Sequence, residues 1–235
     1  MKMNIEPVIA IQARVSSKRF PRKVLEKING RTLIESVVER CTDTGFQVFV
    51  LISDDLTDDP LEELLKHKKY SYYRGSLNDV RARYLNFMRK ENIDQIVRIS
   101  ADSPLIHPDV VSQIISNSKD FIGCDIVTNI FPRTYPRGQS VEIISRAAFE
   151  SIENIPLSRN NKEHITSYFY ENFSKYKIQN IPNVQNLSKV NLCVDTPSDL
   201  IKINNFANSQ RLDIFSNKLP WEKFSEIITE SGVFL

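Results

Sequence analysis

Cysteine and histidine are both scarce in this chain of 235 residues. The 3 cysteines, Cys41, Cys124 and Cys193, are odd in number and widely spaced, which argues against a disulfide framework and against a zinc site. The 3 histidines are scattered along the chain and cannot build a transition-metal centre by themselves. This use of cysteine fits a reducing compartment, so we expect a cytoplasmic protein.

A strong net charge and long apolar runs are lacking as well. The formal net charge is only +2, so a nucleic-acid partner attracted by bulk electrostatics is not expected. No apolar run approaches the length of a membrane span. The first ten letters, MKMNIEPVIA, lack the apolar core of a signal peptide. We therefore expect neither a nucleic-acid nor a membrane partner.

Strand-like apolar runs alternate with amphipathic helical stretches through the first half of the chain. The predicted strands span residues 8–11, 47–52, 70–73, 94–99 and about 125–128. The predicted helices span residues 33–41, 60–67, about 77–90 and about 108–117. This alternation is typical of an α/β fold, with a mostly parallel sheet sandwiched by helices. The length of 235 residues suits a single domain covering residues 1–235.

The most informative stretch is VIAIQARVSSKRFPRKVL, residues 8–25. A short apolar run predicts a buried strand that leads into a loop dense in cations. The loop carries cations at Arg14, Lys18, Arg19, Arg22 and Lys23, hydroxyls at Ser16 and Ser17, and a stiffening proline at Pro21. Such close cations repel one another unless an anion sits among them, and both guanidinium and ammonium groups suit phosphate oxygens. We therefore predict a triphosphate-binding loop, to which the alternative is an ordinary solvated basic loop.

Two aspartates, Asp102 in ADSP and Asp195 in VDTP, each follow an apolar run and shortly precede a proline. Each alone could be an ordinary helix N-cap. Together with a triphosphate-sized group of cations they fit Mg²⁺, which prefers one or two carboxylates plus phosphate oxygens. A metal held in this way would orient the α-phosphate, while the cations stabilise a departing pyrophosphate. In a parallel sheet both aspartates would lie at the carboxyl edge, where ligands bind.

The alternating pattern changes between residues 131 and 185, where prolines and a glycine interrupt it. A strand is predicted over residues 140–144, and residues 163–170 are rich in aromatics. We interpret the segment as an excursion from the main sheet that forms a dimer contact or covers an acceptor. The alternative is that it is more of the same domain. The chain then returns through a predicted strand at 190–194 to a helix that begins at Pro197.

Six motifs carry a resemblance to a known family. They are IQARVSSKRFPRKVL, YRGSLNDVRARY, VRISADSPLI, YPRGQSVEI, KEHITSY and VDTPSDL. Over roughly residues 8–200 the chain resembles the cytidylyltransferases related to spore-coat polysaccharide biosynthesis proteins, whose relatives include the CMP-sialic acid and CMP-3-deoxy-manno-octulosonate synthetases. The resemblance implies a nucleotide-diphospho-sugar transferase (glycosyltransferase A-like) fold, CTP as donor, Mg²⁺ as cofactor and a homodimer. It also implies a role in surface polysaccharide or glycoconjugate biosynthesis.

The resemblance assigns roles to individual residues. Those implied to bind the nucleotide are Ala13, Arg14, Ser17, Arg19, Lys23, Arg74, Ser76 and Asp102. Those implied to bind the acceptor are Arg137, Gln139, Glu142, Glu163 and His164, although His164 could instead be structural. Those implied to be catalytic are Arg14, Lys23, Asp102 and Asp195, and the two aspartates are also implied to hold the metal.

The basic loop departs from the usual family pattern at Ser16 and Arg22, where relatives commonly carry glycine. Glycine permits a positive φ angle or close backbone approach to phosphate, so either side chains supply those contacts here or nucleotide affinity is lower. The function implied is transfer of CMP from CTP to an acidic sugar (nonulosonate- or octulosonate-like) or a related acid, with release of pyrophosphate. The alternatives are a sugar-1-phosphate nucleotidyltransferase and a catalytically silent nucleotide-binding subunit. Retention of Asp102 and Asp195 argues against a silent subunit.

Overall fold

A mostly parallel sheet forms the centre of the structure, a computed structural model that describes residues 6–209 and 219–234. In chain order the strands are β1 (Val8–Gln12), β2 (Lys27–Ile28), β3 (Arg31–Thr32), β4 (Val48–Ser53), β5 (Tyr72–Gly75), β6 (Gln95–Ser100), β7 (Ile126–Thr128), β8 (Glu142–Ser145) and β9 (Ile178–Asn180). Seven of them form the main sheet in the order β5-β4-β1-β6-β8-β7-β9, and β2 pairs with β3 in a separate hairpin. Within the main sheet only β8 is antiparallel to its neighbours, β6 and β7.

Helices cover both faces of this sheet. They are α1 (Leu33–Thr42), α2 (Asp59–His67), α3 (Val80–Lys90), α4 (Pro108–Ser118), α5 (Arg146–Ser151), α6 (Arg159–Glu163), α7 (Ile165–Glu171), α8 (Pro197–Ser209) and α9 (Trp221–Ser231). Buried side chains of α1, α2, α4, α8 and α9 share one apolar cluster, and those of α3, α5 and α7 share another. The predicted sandwich of helices around a mostly parallel sheet is therefore confirmed. Within the described residues no helix combines the length and the apolar character that crossing a membrane requires.

The apolar run at the start of β1 is explained by burial on both faces. Ile9 and Ile11 belong to the first cluster, whereas Val8 and Ala10 belong to the second. Successive side chains of a strand point to opposite faces, so a strand between two helical layers needs apolar residues at every position. The strands and helices predicted in the first half are all present, with their ends shifted by a few residues. Helix α3, for example, starts at Val80 because the side chain of Asp79 caps it.

The predicted strand at residues 190–194 is wrong. This segment alternates buried and partly exposed residues as a strand would, but it forms only an isolated bridge between Arg137 and Asn191. Its backbone is held outside the sheet, because the N–H of Leu192 donates to the carbonyl of Arg137 at 2.9 Å and that of Val194 to the carbonyl of Asp102 at 2.8 Å.

The segment at residues 131–185 contributes to the sheet as well as to the helices beside it. The predicted strand at 140–144 is present as β8, which lies between β6 and β7, and β9 forms one edge of the sheet. Helices α5, α6 and α7 also lie in this segment. Its role in dimerisation or in covering an acceptor remains a prediction. Residues 1–5, part of the stretch in which no signal peptide is expected, lie outside the described residues.

Candidate active site

The basic loop follows directly from β1 and is anchored by a buried aspartate. The N–H of Ala13 donates to the carbonyl of Leu51 at 3.1 Å, which continues the pairing of β1 with β4. The carboxylate of Asp58 then accepts from the N–H of Val15 at 2.6 Å and from the N–H of Ser53 at 2.8 Å. Asp58 is fully buried, so water does not compete for these contacts. The start of the loop is therefore fixed at the carboxyl end of β4.

A tight turn brings the loop back to the sheet edge. The carbonyl of Val15 accepts from the N–H of Ser17 at 2.8 Å and from the N–H of Arg22 at 2.9 Å. Arg22 has a φ angle of 62°, in the left-handed region that favours glycine. A single 3₁₀ turn, Lys23–Leu25, follows, and the buried side chain of Val24 anchors it in the core. The turn thereby presents the side chain of Lys23 to the carboxyl edge of the sheet.

Lys23 joins the two aspartates that the sequence singled out. Its Nζ donates to Oδ2 of Asp102 at 2.8 Å, to the carbonyl oxygen of Val194 at 2.9 Å and to Oδ1 of Asp195 at 3.1 Å. The lysine side chain is only 11% exposed. Both carboxylates therefore contact one nitrogen atom, whereas their convergence on one Mg²⁺ ion stays a prediction.

Neither aspartate serves as a helix N-cap. Helix α4 is capped by the side chain of His107. At the start of α8, Oδ2 of Asp199 accepts from the N–H and from the hydroxyl of Thr196, both at 2.8 Å. The N–H of Asp199 in turn donates to Oγ1 of Thr196 at 3.3 Å. This reciprocal capping leaves the carboxylate of Asp195 for Lys23, so the N-cap alternative is wrong for Asp102 and Asp195.

Further cations surround Asp195. Nη2 of Arg19 lies 3.0 Å from Oδ1 of Asp195, and Nη2 of Arg137 lies 3.9 Å from Oδ2. Burial alone would raise the pKa of Asp195, but Lys23, Arg19 and Arg137 outweigh it and lower that pKa. Burial would likewise lower the pKa of Lys23, yet Asp102 and Asp195 raise it above its ordinary value of 10.5. Lys23 and Asp195 are therefore charged at neutral pH. The three cations Lys23, Arg19 and Arg137 outnumber the two carboxylates, which leaves positive charge for an anionic ligand.

The carboxylates of Asp102 and Asp195 fit a Mg²⁺ ion. Among residues 6–209 and 219–234 no group of three or more histidine, cysteine, aspartate or glutamate side chains could hold a metal. Mg²⁺ does not need such a group, because it is usually bound by one or two carboxylates with the remaining ligands from substrate phosphates and water. Both carboxylates already contact one cation, the ammonium group of Lys23. An ion bound here would take at most two ligands from these side chains and the others from a substrate and water.

Arg14 lies in an ion pair with Glu163, which connects the basic loop to α6. About a third of each side chain is exposed. Burial would raise the pKa of Glu163, but the charge and hydrogen bond of Arg14 lower it instead. His164 follows Glu163 and is exposed at the junction of α6 and α7. The structure thus links a residue implied to bind the nucleotide to one implied to bind the acceptor.

Gln139 and Glu142 do not face an open acceptor site. Gln139 is fully buried: its Oε1 accepts from the N–H of His107 at 2.8 Å, and its Nε2 donates to the carbonyl of Leu105 at 2.6 Å. Glu142 is 1% exposed and pairs with Arg98. The expectation of direct acceptor contacts is wrong for both, because burial and internal hydrogen bonds occupy their polar atoms. Among the residues assigned to the acceptor, Arg137, Glu163 and His164 remain accessible.

Arg74 shapes the connection between β4 and α2. Its guanidinium donates to the carbonyl of Ser53 at 3.0 Å, the carbonyl of Asp55 at 2.8 Å, Oδ1 of Asp59 at 2.8 Å and Oε2 of Glu62 at 2.5 Å. Protein acceptors already surround the guanidinium of Arg74, so the geometry does not support direct contact of this side chain with a base.

The loop after β5 is shaped by its own contacts. Oγ of Ser76 accepts from the N–H of Asp79 at 3.1 Å. The carbonyl of Ser76 accepts from Nε of Arg83 at 3.1 Å and from Nη2 at 2.8 Å. A Cβ atom on Gly75 would lie 2.9 Å from Cγ of Arg83, so glycine is needed for this close approach.

Sequence reasoning missed Asp58 and Arg98, and it placed Asp199 at a helix start without its effect on Asp195. Asp58 fixes the basic loop, Asp199 frees Asp195, and Arg98 neutralises Glu142. The sequence offered one usable signal, because T-x-x-D at Thr196 and Asp199 is a capping pattern just before a helix. The partners of Asp58 and Arg98 are separated from them in sequence by up to 86 positions, and no local pattern marks them.

The chain matches a family model described as cytidylyltransferase over residues 8–227. It is 26% identical over 198 residues to the spore coat polysaccharide biosynthesis protein SpsF of Bacillus subtilis, covering 80% of this chain and 81% of that protein. A solved cytidylyltransferase from Leptospira borgpetersenii superposes with a TM-score of 0.88 and 31% identity, covering 97% of this chain and 96% of that one.

A CMP:2-keto-3-deoxy-manno-octonic acid synthetase complexed with CTP shares the fold. It superposes with a TM-score of 0.67 and 18% identity, covering 86% of this chain and 98% of that one. The architecture is accordingly that of the nucleotide-diphospho-sugar transferases. With the two converging aspartates, the basic loop and the family match over residues 8–227, the chain belongs to the cytidylyltransferase family.

Proposed function

We propose that the protein transfers CMP from CTP to an acidic sugar of the nonulosonate or octulosonate type, or to a related acid, and releases pyrophosphate. The observation that supports this best is the position of Lys23 between Asp102 and Asp195, with Arg19 and Arg137 beside them. This arrangement offers both positive charge for a triphosphate and carboxylates for Mg²⁺. Surface polysaccharide or glycoconjugate biosynthesis in the cytoplasm, by a homodimer, is part of the same proposal.

The reaction needs no nucleophilic side chain. A hydroxyl oxygen of the acceptor forms a bond to the α-phosphorus of CTP while the bond from that phosphorus to the oxygen leading to the β-phosphate breaks. The hydroxyl proton passes to solvent, and pyrophosphate leaves. Lys23 and Arg19 hold the charge that develops on the phosphate oxygens, because fixed cations in a partly buried site stabilise such charge without reorganising. Mg²⁺, held by Asp102 and Asp195, would supply further charge neutralisation at the α-phosphate.

The acceptor enters on the side of α6 and α7 in this proposal. Arg14 and Glu163 join the basic loop to α6, and His164 is exposed beside them. Beside Asp195, Arg137 keeps more than half of its side chain exposed. Its position is set by Gly138, whose φ angle is 93° and where a Cβ would lie 2.9 Å from the carbonyl carbon of Leu192.

The test is a pyrophosphate-release screen. Each of CTP, UTP, GTP and ATP is combined with Mg²⁺ and with 3-deoxy-manno-octulosonate, N-acetylneuraminate, a phosphonate or a sugar 1-phosphate. We expect release with CTP and an acid, loss of release with EDTA, and release lowered by about a hundredfold or more in the Asp195→Asn variant. Release only with a sugar 1-phosphate would instead establish the sugar-1-phosphate nucleotidyltransferase. Binding of CTP without release from any acceptor would support the silent subunit.

A further inference from the structure

Gln12 occupies the centre of the carboxyl edge of the main sheet. It is the last residue of β1, which pairs with β4 on one side and β6 on the other. The chain runs from β1 outward to β4 and β5 and then crosses back to β6, so the strand order reverses at β1. Ligands of open α/β sheets bind at such a reversal, beyond the carboxyl ends of the strands. The partly exposed side chain of Gln12 stands at this point.

The carboxamide of Gln12 is held in one orientation by Arg98. Its Oε1 accepts from Nε of Arg98 at 3.2 Å and from Nη2 at 3.0 Å. A guanidinium group has donors and no acceptor, so the oxygen of the amide must face Arg98 and the NH₂ group must face away. Among the described residues no acceptor takes a hydrogen bond from that NH₂ group.

A buried pair fixes Arg98 in turn. Arg98 forms an ion pair with Glu142, its partner across β6 and β8. Glu142 also accepts from the hydroxyl of Tyr170 on α7 at 2.6 Å. Replacing either charge would leave the other unpaired in a largely buried position, which is strongly destabilising. This is the role that the structure gives to Glu142, which sequence resemblance associated with the acceptor.

Helices α6 and α7 are each connected to a residue near Gln12. Tyr170 connects α7 to Glu142, and Glu163 connects α6 to Arg14, two residues beyond Gln12. Each acidic side chain here is already neutralised by an arginine. The unused hydrogen-bonding capacity at this point is therefore a pair of N–H donors, polarised by the guanidinium behind the amide.

We propose that Gln12 is a specificity-determining residue that donates its amide N–H groups to a carboxylate oxygen of the acceptor, with Arg98 and Glu142 as positioning residues. This inference rests on the proposed function, because it names a subsite for the acid that receives CMP. An anionic oxygen matches two polarised donors better than a neutral hydroxyl does, since hydrogen bonds to charged groups are the stronger kind.

Gln12→Glu tests this inference without removing the contact to Arg98. The new carboxylate keeps one oxygen toward the guanidinium but presents an acceptor where the N–H donors were. Gln95→Glu is the matched control, because it makes the same change at the exposed amino end of the neighbouring strand β6. The reaction is followed with CTP, Mg²⁺ and either 3-deoxy-manno-octulosonate or N-acetylneuraminate, and binding of CTP is measured separately by thermal shift.

We expect Gln12→Glu to raise KM for the acid by about tenfold or more, the effect of losing a hydrogen bond to a charged group. In Gln12→Glu the KM for CTP and the thermal shift with CTP should stay within about twofold of the wild-type values. Gln95→Glu should match the wild type in all three measurements. The methyl ester of the acid should bind the wild type as weakly as the free acid binds Gln12→Glu.

Other outcomes separate the two proposals. An unchanged KM for the acid in Gln12→Glu, or a rise in KM for CTP alone, would overturn the role of Gln12 and leave the function standing. If no acid supports release of pyrophosphate by the wild type, although CTP gives a thermal shift, the proposed function and the acid subsite are overturned together.

Discussion

The hydroxyl of Thr196 donates to Oδ2 of Asp199 at 2.8 Å and accepts from the N–H of Asp199 at 3.3 Å. The same Oδ2 accepts from the N–H of Asp195 at 3.0 Å. Asp199 therefore satisfies the backbone at the start of α8 and holds the backbone of Asp195 in place. Two aspartates four residues apart therefore differ in role: Asp199 caps the helix, and the carboxylate of Asp195 is left for a ligand.

This division predicts opposite effects of two matched substitutions. Asp195→Asn keeps the size of the side chain but removes its charge, so pyrophosphate release should fall by about a hundredfold or more while the helix cap formed by Asp199 is kept. Asp199→Ala should lower the free energy of unfolding by about 1 kcal/mol, because it removes a helix-capping carboxylate. Chemical denaturation and an activity assay on both variants test this. Full activity in Asp195→Asn would rule out a role for its charge.

Lys23→Met should make the two carboxylates, Asp102 and Asp195, bind a divalent cation more strongly. In the wild type the ammonium group lies between Asp102 and Asp195 and competes with any added ion. Without it, Mg²⁺ in the absence of nucleotide should raise Tm more than it does in the wild type. Lys18→Met is the control, because Lys18 is an exposed cation on the same loop.

The activity of Lys23→Met should also fall, by about tenfold or more, because a charge-assisted contact to phosphate is lost. Adding Asp195→Asn to Lys23→Met should abolish the extra effect of Mg²⁺ on Tm. A Mg²⁺ response that survives in the double variant would place the ion elsewhere.

Arg22→Gly should relieve strain in the basic loop. The φ angle of 62° at Arg22 costs a residue with a side chain about 1–2 kcal/mol, and glycine adopts it freely. Arg22→Ala is the control, since it removes the same exposed charge but keeps a Cβ. We expect the free energy of unfolding of Arg22→Gly to exceed that of Arg22→Ala by about 1 kcal/mol, measured in urea. Equal stabilities would show that the loop relaxes at no cost.

His107 should make the stability depend on pH. Burial and the charge of Arg40 lower the pKa of His107 to about 4, whereas its ordinary value is 6.5. The unfolded chain therefore binds more protons than the folded one between those values, and stability falls as pH decreases from about 6.5 to 4. This histidine contributes a loss of up to about 3 kcal/mol over that range.

His107→Asn should flatten that dependence, because asparagine can cap α4 without titrating. His67→Asn, which changes an exposed histidine at the end of α2, is the control. Free energies of unfolding at several pH values compare the three proteins. An identical slope in His107→Asn and the wild type would contradict the assignment.

Local sequence patterns correctly predicted the buried strand β1 and the start of helix α8. The run at β1 is apolar at every position because both faces are covered, and Pro197 marks the start of α8 because its fixed φ angle suits a first helical turn. The basic loop and the pair Asp102 and Asp195 were found in the same way, since charge density and position after an apolar run are visible in one sequence.

The wrong predictions concern residues whose positions are set by hydrogen bonds to partners distant in the sequence. Residues 190–194 alternate like a strand, but their partners are Arg137 and Asp102, so no ladder forms. Gln139 and Glu142 belong to motifs that point to a site, yet contacts with His107 and Arg98 hold them inside the core. A sequence shows which side chains are polar, whereas which of them meet is decided only by the folded chain.

The antiparallel strand β8 has a consequence for the order in which the chain can assemble. β6 and β7 are consecutive parallel strands that do not pair, because β8 lies between them. During synthesis, a chain that has not yet reached residues 142–145 leaves β6 with an open edge, and open edges invite pairing with other chains. The sheet closes only through contacts distant in sequence, which form slowly. The first half of the chain is therefore not a finished nucleotide-binding unit to which the second half is added.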